Sequence, residues 1–218
     1  MLLTNEIRLY GSEASGNLFV QPVDGHDMEL MASEAEHVRR LSGSTDFCIL
    51  AVPVSDWDRD LTPWSADPVF GKRSFGDGAP GSLRQLEEAG LLSRRCCLCG
   101  YSLAGLFALW AAYQTDALSG AAAVSPSLWY PGWIAYAEKT PVRSPAVYLS
   151  LGDREERSRN PVMASVGDAV RAQHALLLSA GIRTALEWNP GSHFVDSDLR
   201  MARGIAWMLM EQEKGSER

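Results

Sequence analysis

Residues 96–113 are eighteen consecutive positions without a charge, nominally enough to span a membrane. Gly100, Ser102 and Gly105 interrupt the stretch, so it reads instead as three pieces. Cys96-Cys97-Leu98-Cys99 is a buried strand, Gly100-Tyr101-Ser102-Leu103-Ala104-Gly105 is a tight turn, and Leu106-Phe107-Ala108-Leu109-Trp110 opens a helix. A central parallel strand and a helix covered on all sides are both expected to be apolar all round. Strand, tight turn and helix with a serine at the apex is the pattern of a nucleophile elbow. The elbow forces its central residue into a strained backbone conformation, so its neighbours must be small. Gly100 and Ala104 satisfy this; the usual pattern has glycine in place of Ala104, and Gly105 follows at once. Ser102 is therefore a candidate acyl-transfer nucleophile. The competing reading is a serine that merely caps a helix after a glycine-rich turn, and the rest of the chain has to decide between them.

Strand-like and helix-like segments alternate throughout, which predicts an α/β fold with a mostly parallel central sheet flanked by helices. Strands are expected at 17–23, 47–52, 96–99, 121–124, 146–151 and 184–188. Helices are expected at 28–41, 83–92, 160–181 and 198–213. Asn160-Pro161 starts the third of these with a cap and a proline in the first turn, and Gly181 ends it. The stretch 53–82 is long, irregular and rich in Gly, Pro, Asp and Trp, as functional loops are. At 218 residues one domain spanning 1–218 is expected.

A net charge of −7 argues against nucleic acid and against an anionic membrane surface, both of which would repel the chain. Met1-Leu2-Leu3-Thr4-Asn5-Glu6 has no basic flank and no apolar core of signal-peptide length, so a cytoplasmic location is expected. Of the four cysteines, three crowd into the predicted central strand, where they act as small apolar residues. Cys97-Leu98-Cys99 has the wrong spacing for a zinc ribbon, and no metal site is expected. A redox role for this cluster is disfavoured because apolar burial raises thiol pKa and lowers reactivity. Nothing in the sequence indicates an oligomeric state.

A serine hydroxyl needs a base within hydrogen-bond reach and an acid to orient that base. In the α/β-hydrolase arrangement the partners follow in the order nucleophile, acid, histidine, each on a loop after a later strand. Two histidines follow Ser102. His174 falls within the predicted helix 160–181, whereas His193 lies just past the last strand in Asn189-Pro190-Gly191-Ser192-His193-Phe194, a turn-rich loop suited to carrying a functional side chain. His193 is the candidate base, while His26 and His37 are read as surface residues. For the acid, Asp153, Glu155 and Glu156 follow Gly152 and compete. Distance beyond the strand-ending glycine favours Glu155, and Asp153 is nearer the strand; a dyad without an acid is the third arrangement. Oxyanion donors are expected from the Leu103 N–H and from the backbone of the loop after the second strand, around Val54, Ser55 and Asp56.

Arg59-Asp60-Leu61-Thr62-Pro63, the elbow, Ser125-Pro126-Ser127-Leu128-Trp129 and Pro190-Gly191-Ser192-His193-Phe194 together resemble the esterase branch of the α/β-hydrolases, close to the enterochelin (ferric siderophore) esterase family. The resemblance runs from about residue 47 to the C-terminus. It implies hydrolysis of a small-molecule carboxylic ester through a serine acyl-enzyme, with no metal and no organic cofactor. From the short N-terminal part, the extra domain some siderophore esterases carry is not expected here. Small acyl esters and thioesters are equally compatible substrates. Trp129 is the candidate pocket wall for an aromatic or apolar acyl group, with Tyr130, Trp133, Trp57 and Trp64 behind it. The alternative function is a catalytically idle hydrolase-fold protein that binds a ligand or partner.

Overall fold

The computed structural model describes residue 2 and residues 6–92 and 96–216. Its centre is β4 (Cys96–Tyr101), every residue of which is buried. Around it the strands run in the order β1-β3-β2-β4-β5-β6-β7. These are β1 (Arg8–Gly11), β2 (Leu18–Val23), β3 (Cys48–Pro53), β5 (Leu118–Val124), β6 (Ala146–Gly152) and β7 (Arg183–Asn189). All neighbouring pairs are parallel except β1, which runs antiparallel along the outer edge of β3. The α/β expectation with a mostly parallel sheet is met. The sequence reading missed β1, because this edge strand is largely exposed and so carries no apolar run.

Two layers of helices cover the sheet. On one face, α1 (Gly25–Ser42) and α8 (Ser197–Ser216) bury Met31, Val38, Met201, Ile205 and Met208 against Phe19, Cys97 and Tyr148. On the other, α3 (Ala79–Glu88), α4 (Leu103–Gln114), the short α5 (Trp133–Ala137) and α7 (Val166–Ser179) enclose Leu83, Leu106, Phe107, Trp133 and Val170 with Val20, Leu98 and Leu149. Residues Leu103 to Tyr113 of α4 are all buried, which explains a helix without a polar face. Among the described residues, no helix is long and apolar enough to cross a membrane.

The helix expected over 160–181 is divided at Ser165 into α6 (Pro161–Ala164) and α7. Asn160 does cap the first piece, its side chain accepting from the N–H groups of Val162 and Met163. Helix α3 lies about four residues before its predicted position. The irregular stretch 53–82 holds α2 (Trp57–Asp60) and is tied down by Asp60 and Thr62, both buried. Thr62 Oγ1 donates to the Asp58 carbonyl at 2.7 Å, and Asp60 Oδ1 accepts from Arg59 Nε at 2.9 Å. The Arg-Asp-Leu-Thr-Pro segment thus anchors the loop that reaches the C-terminal ends of the strands, where open parallel sheets bind ligands.

Candidate active site

The turn between β4 and α4 holds Ser102 at φ 57° and ψ −120°, a strained conformation for a non-glycine residue. Crowding explains the small neighbours. A Cβ on Gly100 would fall 2.2 Å from the Ala104 carbonyl oxygen and 2.8 Å from the Ala104 methyl, and one on Gly105 would fall 3.0 Å from the Gly100 oxygen. The turn therefore has room for the Ala104 methyl only because Gly100 has none. The Ser102 N–H donates to Val124 O at 3.1 Å, and its carbonyl accepts from the Ser127 N–H at 3.1 Å, so β5 and the loop after it hold the turn from both sides.

His193 is delivered by the loop after β7. Its Nε2 lies 3.1 Å from Ser102 Oγ, and its Nδ1 lies 2.7 Å from Glu155 Oε2. The three competing carboxylates separate cleanly. Glu155, in a 3-10 turn after β6 (Glu155–Arg157), faces the histidine. Asp153 Oδ1 accepts from the Gly191 N–H at 2.8 Å, and Glu156 pairs with Arg171 at 2.7 Å. The other oxygen of Glu155 accepts from Ser125 Oγ at 2.7 Å, the Gly152 N–H at 2.8 Å and Arg200 Nη1 at 3.2 Å. Burial pushes the Glu155 carboxyl up, but hydrogen bonds from His193, Ser125 and Gly152 and the charge of His193 outweigh it, leaving the group below its ordinary value. Glu155 is thus held as a carboxylate beside the imidazole.

Ser102 and His193 open into a cavity of about 710 Å³ whose walls include Trp57, Phe70, Leu103, Trp129, Met163, Val166 and Phe194, with Arg154 and Arg157 also lining it. A smaller cavity of about 210 Å³ shares Ser102, His193, Trp57 and Phe194 and is lined further by Asp24, His26, Asp27, Tyr101 and Ser197. Burial, reinforced by Asp24, pushes the Asp27 carboxyl up to about 6. Of the aromatic residues named from sequence, Trp129 and Trp57 line the larger cavity. Tyr130 and Trp133 are buried, and Trp64 packs on them with ring centroids 5.9 and 6.4 Å apart, so these three rings are core.

Part of the expected oxyanion region is hydrogen-bonded within the protein. The Val54 N–H donates to Val23 O, and the Asp56 N–H and the Ser55 hydroxyl donate to Asp60 Oδ2 at 3.0 and 3.2 Å. Asp60 draws this turn inward, and Ser55 is not among the residues lining either cavity. The loop reaches the site instead through Trp57 and Asp58. Leu103 does line the larger cavity, and as the first residue of α4 its N–H has no intrahelical partner.

His26, read as a surface residue, lines the smaller cavity. His37 is half-buried and lies 3.5 Å from Asp198; His174 is a half-buried residue of α7. Sequence reasoning missed Arg200, Ser125 and Tyr101. Ser125 belongs to the Ser-Pro-Ser segment and sits at φ 43°, while Tyr101 donates its hydroxyl proton to the His193 carbonyl at 2.6 Å. The four cysteines are free and buried, and burial raises the Cys99 thiol well above its usual range. Among the described residues, no group of three or more His, Cys, Asp or Glu side chains is placed to hold a metal ion.

A mostly parallel seven-stranded sheet, helices on both faces and a strained serine between the central strand and its buried helix together define the α/β-hydrolase fold. Solved structures agree. The siderophore hydrolase EstA from Aspergillus nidulans superposes with a TM-score of 0.62 at 20% identity, covering 93% of this chain and 88% of that one. A Bacillus cereus carboxylesterase gives 0.61 at 12% identity, covering 96% and 94%. The Shigella flexneri enterobactin esterase FES gives 0.66 at 14% identity, and there this chain spans 55% of the other's length. In structure, then, the chain resembles siderophore esterases and other carboxylesterases; at such identities the likeness is one of fold. No family model and no curated protein matches the chain in sequence.

Proposed function

We propose that this protein is a serine esterase that cleaves a small-molecule carboxylic ester through an acyl-enzyme. The observation that carries the reading is the line from Ser102 Oγ through His193 to Glu155, at 3.1 and 2.7 Å, opening into a cavity. Ser102 Oγ attacks the ester carbonyl as His193 Nε2 takes its proton, and Glu155 stabilises the imidazolium that results. The Leu103 N–H supports the developing oxyanion, with the second donor falling to the loop at Trp57. The histidine then passes the proton to the leaving alcohol; a water deprotonated by the same Nε2 attacks the acyl carbonyl, and Nε2 returns that proton to Ser102 Oγ as the acid is released.

The larger cavity, walled by Trp57, Phe70 and Trp129, fits an aromatic or extended apolar acyl group. The siderophore hydrolase and enterobactin esterases among the structural neighbours make a catecholate-bearing ester one member of the panel to test. The experiment is labelling with a fluorophosphonate together with turnover of nitrophenyl esters of graded acyl length. Wild type should label at one serine and turn over; Ser102→Ala should do neither while keeping its circular dichroism spectrum. A wild type that binds apolar acids but neither labels nor turns over any ester of the panel would instead establish the idle-binder reading.

A further inference from the structure

Arg200 stands on the first turns of α8 and is 1% exposed, whereas every other described arginine is at least partly exposed. A guanidinium is that deep only when several acceptors meet it. Here Nη1 donates to Glu155 Oε1 at 3.2 Å, to Tyr101 OH at 3.2 Å and to Ser125 Oγ at 3.4 Å. Nη2 donates to the carbonyls of Pro190 at 2.9 Å and Ser192 at 3.0 Å. Those two carbonyls flank Gly191, whose φ of +103° turns the loop that carries His193.

The two halves of one rigid fork therefore hold different members of the site. Nη1 occupies Glu155 Oε1, which leaves Oε2 facing His193 Nδ1. Nη2 clamps the backbone immediately before His193, and Tyr101, itself bonded to Arg200, fastens the His193 carbonyl. The planar guanidinium fixes the angle between these contacts, which an ammonium does not. Much of the loop is exposed, with Phe194 at 91%; its other ties are at Gly191, whose N–H donates to Asp153 and whose carbonyl accepts from the Arg154 N–H, and these leave the aim of Glu155 to Arg200.

We propose that Arg200 is a positioning residue that sets the registration of Glu155 and His193 on Ser102. The proposal rests on the esterase reading, and its test keeps the two separable. Arg200→Met and Arg200→Lys are compared with wild type for kcat, KM, thermal midpoint and the downfield proton resonance of the His193 Nδ1 hydrogen bond. Misplacement of the base by about an ångström costs on the order of 100-fold in rate. Arg200→Met should therefore lose about that factor in kcat with KM within about threefold, and lose or broaden the resonance. Arg200→Lys should recover part of each, since it restores the charge at Glu155 but not the fork. If Arg200→Met folds too poorly to assay, Tyr101→Phe removes the bond to the His193 carbonyl at lower structural cost, and it should lower kcat in the same sense. A folded Arg200→Met with a lower thermal midpoint but unchanged kcat and resonance would show a structural role alone and overturn the proposal. Should wild type hydrolyse no ester, the esterase reading fails by itself. The resonance then still decides whether Arg200 orders the His193–Glu155 pair: an unchanged signal in Arg200→Met sinks it.

Discussion

Replacing Glu155 with glutamine keeps its size and removes one acceptor. The carboxylate accepts from three groups on Oε1, namely Ser125, Gly152 and Arg200, and faces His193 on Oε2. Glutamine has one carbonyl oxygen, which the three donors claim, so its amide NH2 is turned to His193 Nδ1. Two N–H groups cannot face each other at 2.7 Å. The imidazole must then present Nδ1 as an acceptor and carry its proton on Nε2, where it can no longer accept the proton of Ser102. A wrong tautomer of this kind costs roughly 10⁴ in kcat, which is about 5 kcal/mol of transition-state stabilisation. Stability falls too, because Arg200 loses the carboxylate it faces in a buried pair; breaking such a pair costs about 3–5 kcal/mol, or on the order of 10 °C in thermal midpoint for a chain of this length. Nitrophenyl ester hydrolysis below the melting range separates the two effects. KM should move little, because the loss is in the chemical step. Asp153→Asn and Glu156→Gln, whose carboxylates hold Gly191 and Arg171, should keep most of kcat. A folded Glu155→Gln enzyme with less than a tenfold loss in kcat would refute the tautomer argument and leave a Ser102–His193 dyad. The pH dependence has a definite sign. Glu155 is depressed from the ordinary 4.5, so its contribution to stability is present above that pH and is lost as pH falls through the lower folded value. Glu155→Gln should lose this acid-side dependence.

Gly100→Ala should destabilise the protein by about 3 kcal/mol or more and abolish turnover, since the new methyl meets backbone 2.2 Å away; a variant with wild-type melting would contradict the tight elbow. Glu34 is 2% exposed, and burial, the largest cause, pushes its carboxyl up to about 8, against a lowering by the Gln21 hydrogen bond. Its stabilising neutral form is intact below pH 4.5, and the advantage is lost as pH rises through about 8, a change on the order of 4 kcal/mol. The thermal midpoint should therefore fall between pH 5 and 9 in wild type and much less in Glu34→Gln, and parallel slopes would reject the buried acid. Trp129→Ala should raise KM about tenfold for aromatic acyl esters while leaving acetyl esters nearly unchanged; equal effects on both would remove Trp129 from the acyl site.

Local sequence determined the parts of this protein whose physics is local. An uncharged run broken by Gly100, Ser102 and Gly105 can be satisfied only by a buried strand, a strained turn and a buried helix, so the centre of the fold and the placement of Ser102 were legible at once. The turn-rich loop after the last strand singled out His193 by the same logic. Asp153, Glu155 and Glu156 could not be separated that way, because consecutive carboxylates differ only in where a turn aims them. The 3-10 turn after β6 and the loop after β7 settled it, giving Glu155 to the histidine, Asp153 to Gly191 and Glu156 to Arg171. The turn at Ser55 was not legible for a related reason: the buried Asp60 gathers the Ser55 hydroxyl and the Asp56 N–H, a contact that exists only once α2 has folded. Arg200 is the extreme case. In sequence it is one more charge in a helix, and only the packing of α8 across the sheet buries it among acceptors from β4, the loop after β5, the turn after β6 and the loop after β7. Hydrophobic periodicity reports which face of an element is covered, but burial of a charge depends on acceptors far apart in the chain, and those meet only in the tertiary structure.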